Sequence, residues 1–198
     1  IWYVLGTDIL GITMGTHAGD AYLRMLPLIF GVALIPMTYR LADYVLDNKT
    51  AAWIAAWCLA LSPFQVYYAQ EYRPHTLYAF LVCAGIYASL RALDEGTRKY
   101  WIATVVIGAL SFYAYYFSAV YLVCMNIFAL TCFKRYRHRI LPWTLSQLAI
   151  LVLIIPPILM ARTVWNTHTS AEAHWFPHPT LNTLLRTLHN LFSWFSTH

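Results

Sequence analysis

The sequence predicts an all-α, polytopic integral membrane protein, with about six transmembrane helices and further helical segments on the outer interface. Three observations lead there. The 198 residues are 60% hydrophobic and only 11% charged, whereas soluble domains run at about 45–50% apolar and about 25% charged. The mean hydropathy of +0.55 points the same way. Aromatic residues are abundant, with 15 Tyr, 10 Phe and 8 Trp, which suits the belts at membrane–water interfaces and excludes a disordered chain.

Uncharged runs delimit the elements. One lies between Arg24 and Arg40, and others extend from Thr50 to Gln70, Pro74 to Leu90, Tyr100 to Phe133 and Ile140 to Ala161. A spanning helix needs about 20 mostly apolar residues, so the fourth run is too long for one span and suits a tight hairpin. Its expected tip is Tyr115-Tyr116-Phe117-Ser118. Spans are therefore expected near 22–40, 51–69, 75–92, 100–116, 118–133 and 140–160, with a kink or break at Pro156-Pro157. Asn126 and Gln147, inside spans, are expected to hydrogen-bond between helices.

Basic residues test this order. One side receives nine: Arg40, Lys49, Arg91, Arg98, Lys99, Lys134, Arg135, Arg137 and Arg139. The other receives four: Arg24, Arg73, Arg162 and Arg186. Lys and Arg accumulate on cytoplasmic loops, so the richer side is expected to be the cytoplasm. The basic run 134–139 is then a topology anchor in reach of anionic lipid, and Asp94-Glu95 reads as part of a solvated inner turn. The net charge of +5 falls in short clusters between apolar runs, which argues against a nucleic-acid partner. Cys58, Cys83, Cys124 and Cys132 show no CxxC spacing, so neither a disulfide framework nor a zinc site follows.

Residues 1–198 are expected to form part of one transmembrane domain, with the six spans over 22–160. Residues 1–20 have mixed polarity and are expected to form an outer juxtamembrane segment. Residues 161–198 are expected to form an outer loop with an amphipathic helix over 181–195. There Leu181, Leu184, Leu185, Leu188, Leu191, Phe192 and Phe195 recur at helical spacing. Such a helix would lie flat in the interface; a seventh span is the alternative. The chain starts at Ile1 and stops at His198 without a polar tail, and is expected to be a piece of a longer protein.

The stretch richest in chemistry is Ser62-Pro63-Phe64-Gln65-Val66-Tyr67-Tyr68-Ala69-Gln70-Glu71-Tyr72-Arg73-Pro74-His75. It sets a carboxylate, a guanidinium, two amides, an imidazole and three tyrosines at the outer mouth of the second and third spans. Ionisable groups at membrane depth are costly and usually face a cavity or a polar interior. Arg73 is suited to grip two phosphate oxygens, and Glu71 could orient it or bond sugar hydroxyls. An interfacial loop whose Glu71 and Arg73 simply pair with each other fits these residues equally well.

The same stretch resembles the S-P-(x)-Y-Y-(x)-Q-E-(x)-R-P-Y pattern of the dolichyl-phosphate-mannose protein mannosyltransferase-like membrane proteins, glycosyltransferase family 39. Tyr22-Leu23-Arg24-Met25-Leu26-Pro27 followed by Phe30-Gly31 is similar to the family's A-L-R-L-P-S-(x)-(x)-F-G. Ala51-Ala52-Trp53-Ile54-Ala55-Ala56 resembles the segment leading into the S-P motif, and Trp175-Phe176-Pro177-His178-Pro179-Thr180-Leu181 the outer-loop W-(x)-P-(x)-P-(x)-L. His75 departs from the family's Tyr after Arg-Pro.

The resemblance implies a fold of the GT-C type and a reaction on the outer face. A sugar, mannose-like or related, would pass from a polyprenyl-phosphate carrier to a protein, lipid or glycan acceptor. It implies that Gln70, Glu71, Arg73 and His75 bind substrate, with Arg24, His174 and His178 as further contacts. An Arg at the donor phosphate would stabilise the leaving group's charge, and a carboxylate would deprotonate the acceptor hydroxyl. The family's catalytic acidic residue lies in the first outer loop, so it is expected upstream of Ile1, and 1–198 alone is expected to be inactive. Asp8 and Asp20 match no part of that motif. His168, Glu172, His174 and His178 could ligate a divalent cation, but Pro177 and Pro179 bracket His178, and no cofactor follows with certainty. The expected location is the bacterial inner membrane. A transporter or flippase-like carrier of lipid-linked or small polar substrates is the alternative, with the charged mouth as its gate.

Overall fold

A computed structural model describes residues 17–71 and 73–168, with side chains between 21 and 159. Every described element is helical. In chain order they are α1 (His17–Leu46), α2 (Lys49–Ala60), α3 (Pro63–Gln70), α4 (His75–Glu95), α5 (Arg98–Ala114), α6 (Ser118–Thr131), α7 (Phe133–Tyr136), a 3-10 turn (Arg137–Arg139) and α8 (Ile140–His168). The expected interfacial helix over 181–195 lies outside the described residues. Helix α4 packs against both α1 and α5, and α1 also packs against α2 and α3. The surface of these helices is rich in exposed Leu, Ile, Val, Trp and Phe, as in a protein solvated by lipid.

Three helical stretches are long and apolar enough to cross a membrane: Ala21–Leu46, His75–Glu95 and Phe133–Leu159. The other three expected spans are shorter. Helices α5 and α6, of 17 and 14 residues, flank the expected hairpin tip, where Ser118 N–H bonds the Tyr115 carbonyl at 3.0 Å. The buried Ser118 hydroxyl also donates to the Ser111 carbonyl at 2.6 Å, which ties the two arms together.

The second expected span, 51–69, is not one helix. It divides into α2 and α3 around Leu61 and Ser62. Pro63 carries no N–H and fits the first helical position, while the Ser62 hydroxyl accepts from Gln65 N–H at 3.5 Å. Apolar composition runs through this junction unbroken, so hydropathy alone does not reveal it. The first span is longer than expected, because Arg40 does not end α1. The helix continues to Leu46 and stops where Asp47 turns to φ 48°. Asn48 then accepts from Thr50 and Ala51 N–H at 3.0 and 3.1 Å, capping α2.

Helix α8 contains Pro156-Pro157 within its length, so no helix end falls at the expected break. Pro157 has no N–H for the Leu153 carbonyl, and the Tyr113 hydroxyl donates to that carbonyl at 3.1 Å instead. As expected, Asn126 and Gln147 bond each other, Nδ2 to Oε1 at 3.1 Å. Trp143 Nε1 completes the group by donating to Asn126 Oδ1 at 3.1 Å. This polar trio sits beside an apolar core of Leu93, Tyr121, Met125, Ala129, Tyr136 and Trp143.

Asp94 and Glu95 do not form a solvated turn. They end α4, and Asp94 accepts from the hydroxyls of Tyr44 on α1 and Tyr136 on α7, the latter at 2.9 Å. Arg135 Nη2 adds an ion pair to Asp94 at 3.2 Å. Glu95 pairs with Arg91 at 2.7 Å, and the Arg91 guanidinium lies 5.1–5.8 Å from the ring centres of Tyr44, Tyr87 and Tyr100. Arg139 donates to the Leu93 carbonyl. The expected topology anchor is thus partly a clamp that gathers the basic ends of α1, α4, α5 and α7.

Close packing of α1 on α3 sets the position of the charged loop. A Cβ placed on Gly31 would fall 2.8 Å from the Ala69 Cβ, an atom fixed to the α3 backbone. The Gln65 amide also donates to the Gly31 carbonyl at 3.3 Å. Gly31→Ala is expected to push α3 off α1 and to destabilise by about 1–3 kcal/mol, the usual cost of overpacking. Thermal unfolding in detergent reads this directly. Val32→Ala is the control, because Val32 is the next residue of the same helix and exposed; it should shift the transition little.

Candidate functional site

Two helix ends present the expected site residues. Gln70 is the last residue of α3 and exposed, Glu71 follows it in extended conformation, and His75 is the first residue of α4. The link between them is short because Arg73 N–H bonds back to the Glu71 carbonyl at 2.7 Å. Helix α4 is anchored there by the buried Thr76 hydroxyl, which donates to the Pro27 carbonyl of α1 at 2.9 Å.

Glu71 and Arg73 do pair, Oε1 to Nε at 3.0 Å. The Arg73 side chain is 62% exposed and Glu71 27%. Bonding through Nε fixes the guanidinium plane while its terminal amino groups have no partner among the described residues. A guanidinium held through Nε with both terminal amino groups open is the geometry that holds a phosphate oxygen pair. The pair is also what a plain interfacial loop would form, so the open edge is its informative feature.

His75 lies between two tyrosines. Its ring centre is 4.9 Å from that of Tyr68 on α3 and 5.7 Å from that of Tyr115 at the hairpin tip, edge-on to both. Tyr78 lies 5.5 Å from Tyr115 and donates its hydroxyl to the Phe117 carbonyl at 3.4 Å. Tyr116 and Phe117 both stack on Tyr115, at 6.0 and 5.3 Å. Phe64 extends the aromatic surface, 4.5 Å from Tyr68. The α5–α6 tip is therefore a wall of this region.

Sequence reasoning missed Tyr115 and Tyr78 as neighbours of the charged stretch. The available signal was topological: with an even number of spans, the hairpin tip and the Arg73 loop fall on the same side. Arg24 is exposed near the start of α1 and shares no hydrogen bond or ion pair with this loop among the described residues. Glu172, His174 and His178 lie outside the described residues, as does Tyr72, and so does the metal site considered for that last loop. Among the described residues no group of three or more His, Cys, Asp or Glu could hold a metal ion.

A chain whose described elements are all helical, with an apolar, lipid-suited surface and spanning helices, is an integral membrane protein. Residues 10–160 match the family model of dolichyl-phosphate-mannose-protein mannosyltransferase, and the chain belongs to that family. It is thus a membrane glycosyltransferase of the mannosyltransferase-like kind. Neither a curated relative nor a solved structure matches the chain.

Proposed function

We propose that this chain takes part in transfer of a mannose-like sugar from a polyprenyl-phosphate carrier to a protein, lipid or glycan acceptor, at the outer face of a bacterial inner membrane. The observation that carries the proposal is Arg73, oriented through Nε by Glu71 and open at its terminal amino groups. The carrier phosphate would dock on that edge, where the loop meets the interface. As the anomeric bond breaks, charge accumulates on the leaving phosphate, and Arg73 stabilises that charge. Glu71 holds the guanidinium in plane. Gln70 would bond sugar hydroxyls, and His75 with Tyr68 and Tyr115 would offer ring surface to the sugar. Arg24, His174 and His178 would be further contacts. The acceptor's base is the acidic residue expected from the family's first outer loop.

Reconstitution tests this reading. Full-length protein in vesicles should move labelled mannose from a synthetic short-chain polyprenyl-phosphate mannose to an acceptor and release the polyprenyl phosphate. A nucleotide sugar alone should give no product. A carrier would show labelled lipid crossing the vesicle without any transfer. The division of the second span into α2 and α3 is the feature that suits a carrier, yet the described spans hold no ion pair away from their ends, which favours the transferase.

A further inference from the structure

Two contacts show that the chain crosses the membrane through α2 and α3. Tyr44 near the end of α1 bonds Asp94 near the end of α4, and Thr76 near the start of α4 bonds the Pro27 carbonyl toward the start of α1. Helices α1 and α4, both long enough to span, therefore run in the same direction. The segment between them has to return the chain from one face to the other, and that segment is α2 and α3. Its break at Leu61-Ser62 lies inside the membrane.

Packing on α1 gives the depth. Trp53 of α2 lies against Tyr39, with ring centres 5.0 Å apart, and Ala69 of α3 lies against Gly31. The break falls between these contacts, beside Gly31 to Tyr39, and so within about 8 Å of the midpoint of the Ala21–Leu46 stretch. Backbone groups lack partners at this level. Ser62 N–H bonds back to the Leu59 carbonyl at 3.1 Å, Gln65 N–H donates to the Ser62 hydroxyl, and Pro63 has no N–H. The Ala60 and Leu61 carbonyls and the Phe64 N–H are left without a partner among the described residues. Pro36, in the same stretch of α1, supplies no N–H to the Val32 carbonyl. Leu61 and Phe64 are 73% and 66% exposed, so these groups are not packed away.

Lipid chains offer such groups nothing to bond, and irregular backbone at membrane depth persists only where it lines water or is buried in protein. Polar side chains favour water and show where it enters. From Ala51 to Leu61 no side chain carries an amide, a hydroxyl or a charge, whereas Ser62, Gln65, Gln70, Glu71 and Arg73 lead from the break to the charged mouth. We propose that α3 lines a water-filled crevice that opens at the Glu71–Arg73 mouth, ends at the Leu61-Ser62 break and admits small polar solutes to the middle of the membrane. Water there bonds the Ala60 and Leu61 carbonyls and the Phe64 N–H. A crevice closed on the basic side differs from a carrier's path, which must open to each face in turn. It does not depend on how the Glu71–Arg73 loop works.

Full-length protein in lipid nanodiscs, treated with a membrane-impermeant trimethylammonium methanethiosulfonate and read by peptide mass mapping, tests it. Ser62→Cys and Phe64→Cys should each react about 100-fold faster than the native Cys124, because the thiolate is the reactive form and hydrocarbon disfavours it. Cys124 is exposed within α6, so it reports on contact with lipid. Ile54→Cys, exposed on α2 at the basic side of the break, should react as slowly as Cys124. Two probe positions are used because Ser62 caps α3, whereas the Phe64 side chain is exposed and makes only a ring contact with Tyr68. Rates like that of Cys124 at both positions would mean that lipid or packed protein covers the break, and would overturn the proposal. So would fast labelling of Ile54→Cys, which would place an opening on the basic side.

Discussion

Arg73→Ala in the full-length protein is expected to lower sugar transfer by about 100- to 1,000-fold, the range seen when one donor to a developing negative charge is removed. Arg73 is mostly exposed and its side chain bonds the neighbouring Glu71, so the substitution should leave thermal unfolding within about 0.5 kcal/mol of the parent. That separation between activity and stability makes the test informative. Arg73→Lys should recover little, because an ammonium offers a point charge and not a planar fork. Glu71→Gln should act more mildly, since the amide oxygen still accepts from Nε but no longer fixes the plane by charge. If Arg73→Ala transfers sugar as fast as the parent, the loop is an interfacial ion pair and the donor phosphate is held elsewhere.

What the sequence reveals of this loop and its surroundings depends on the range of each physical signal. The hairpin tip at Tyr115–Ser118 is legible because an uncharged run from Tyr100 to Phe133 is too long for one bilayer crossing. The Asn126–Gln147 contact is legible because a buried amide in lipid needs a partner. The break at Leu61-Ser62 escapes because hydropathy does not register backbone hydrogen bonds, although a Ser-Pro pair is itself a helix-start signal. His75 is legible from its motif, but its seat between Tyr68 and Tyr115 depends on tertiary placement. Tyr115 is 40 residues from His75 in the chain, and periodicity carries no information over that distance. Asp94 shows the same limit more sharply. Its local neighbours Arg98 and Lys99 suggest a solvated turn, whereas its partners Tyr44 and Tyr136 are 50 and 42 residues away.

Asp94→Ala is therefore expected to be the most destabilising single change at the basic end, at about 2–4 kcal/mol. The carboxylate accepts from two tyrosine hydroxyls and one guanidinium on two other helices. Hydrogen bonds to a charged group contribute about 1.5–3 kcal/mol each, and truncation leaves the donors without an acceptor. Partial exposure of Asp94, at 28%, lets water replace some of that loss, which keeps the total below the simple sum. Glu95→Ala, one residue on, removes an ion pair within a single helix and should cost no more than about 0.5 kcal/mol. Thermal unfolding of both variants in the same detergent distinguishes a clamp from a decorated surface. Equal, small losses for the two would mean that packing of Leu93, Tyr121, Met125 and Trp143 alone holds these helix ends together. A large loss confined to Asp94→Ala, partly recovered by Asp94→Asn because the amide oxygen still accepts from a tyrosine, would identify the carboxylate as the joint between α1, α4 and α7.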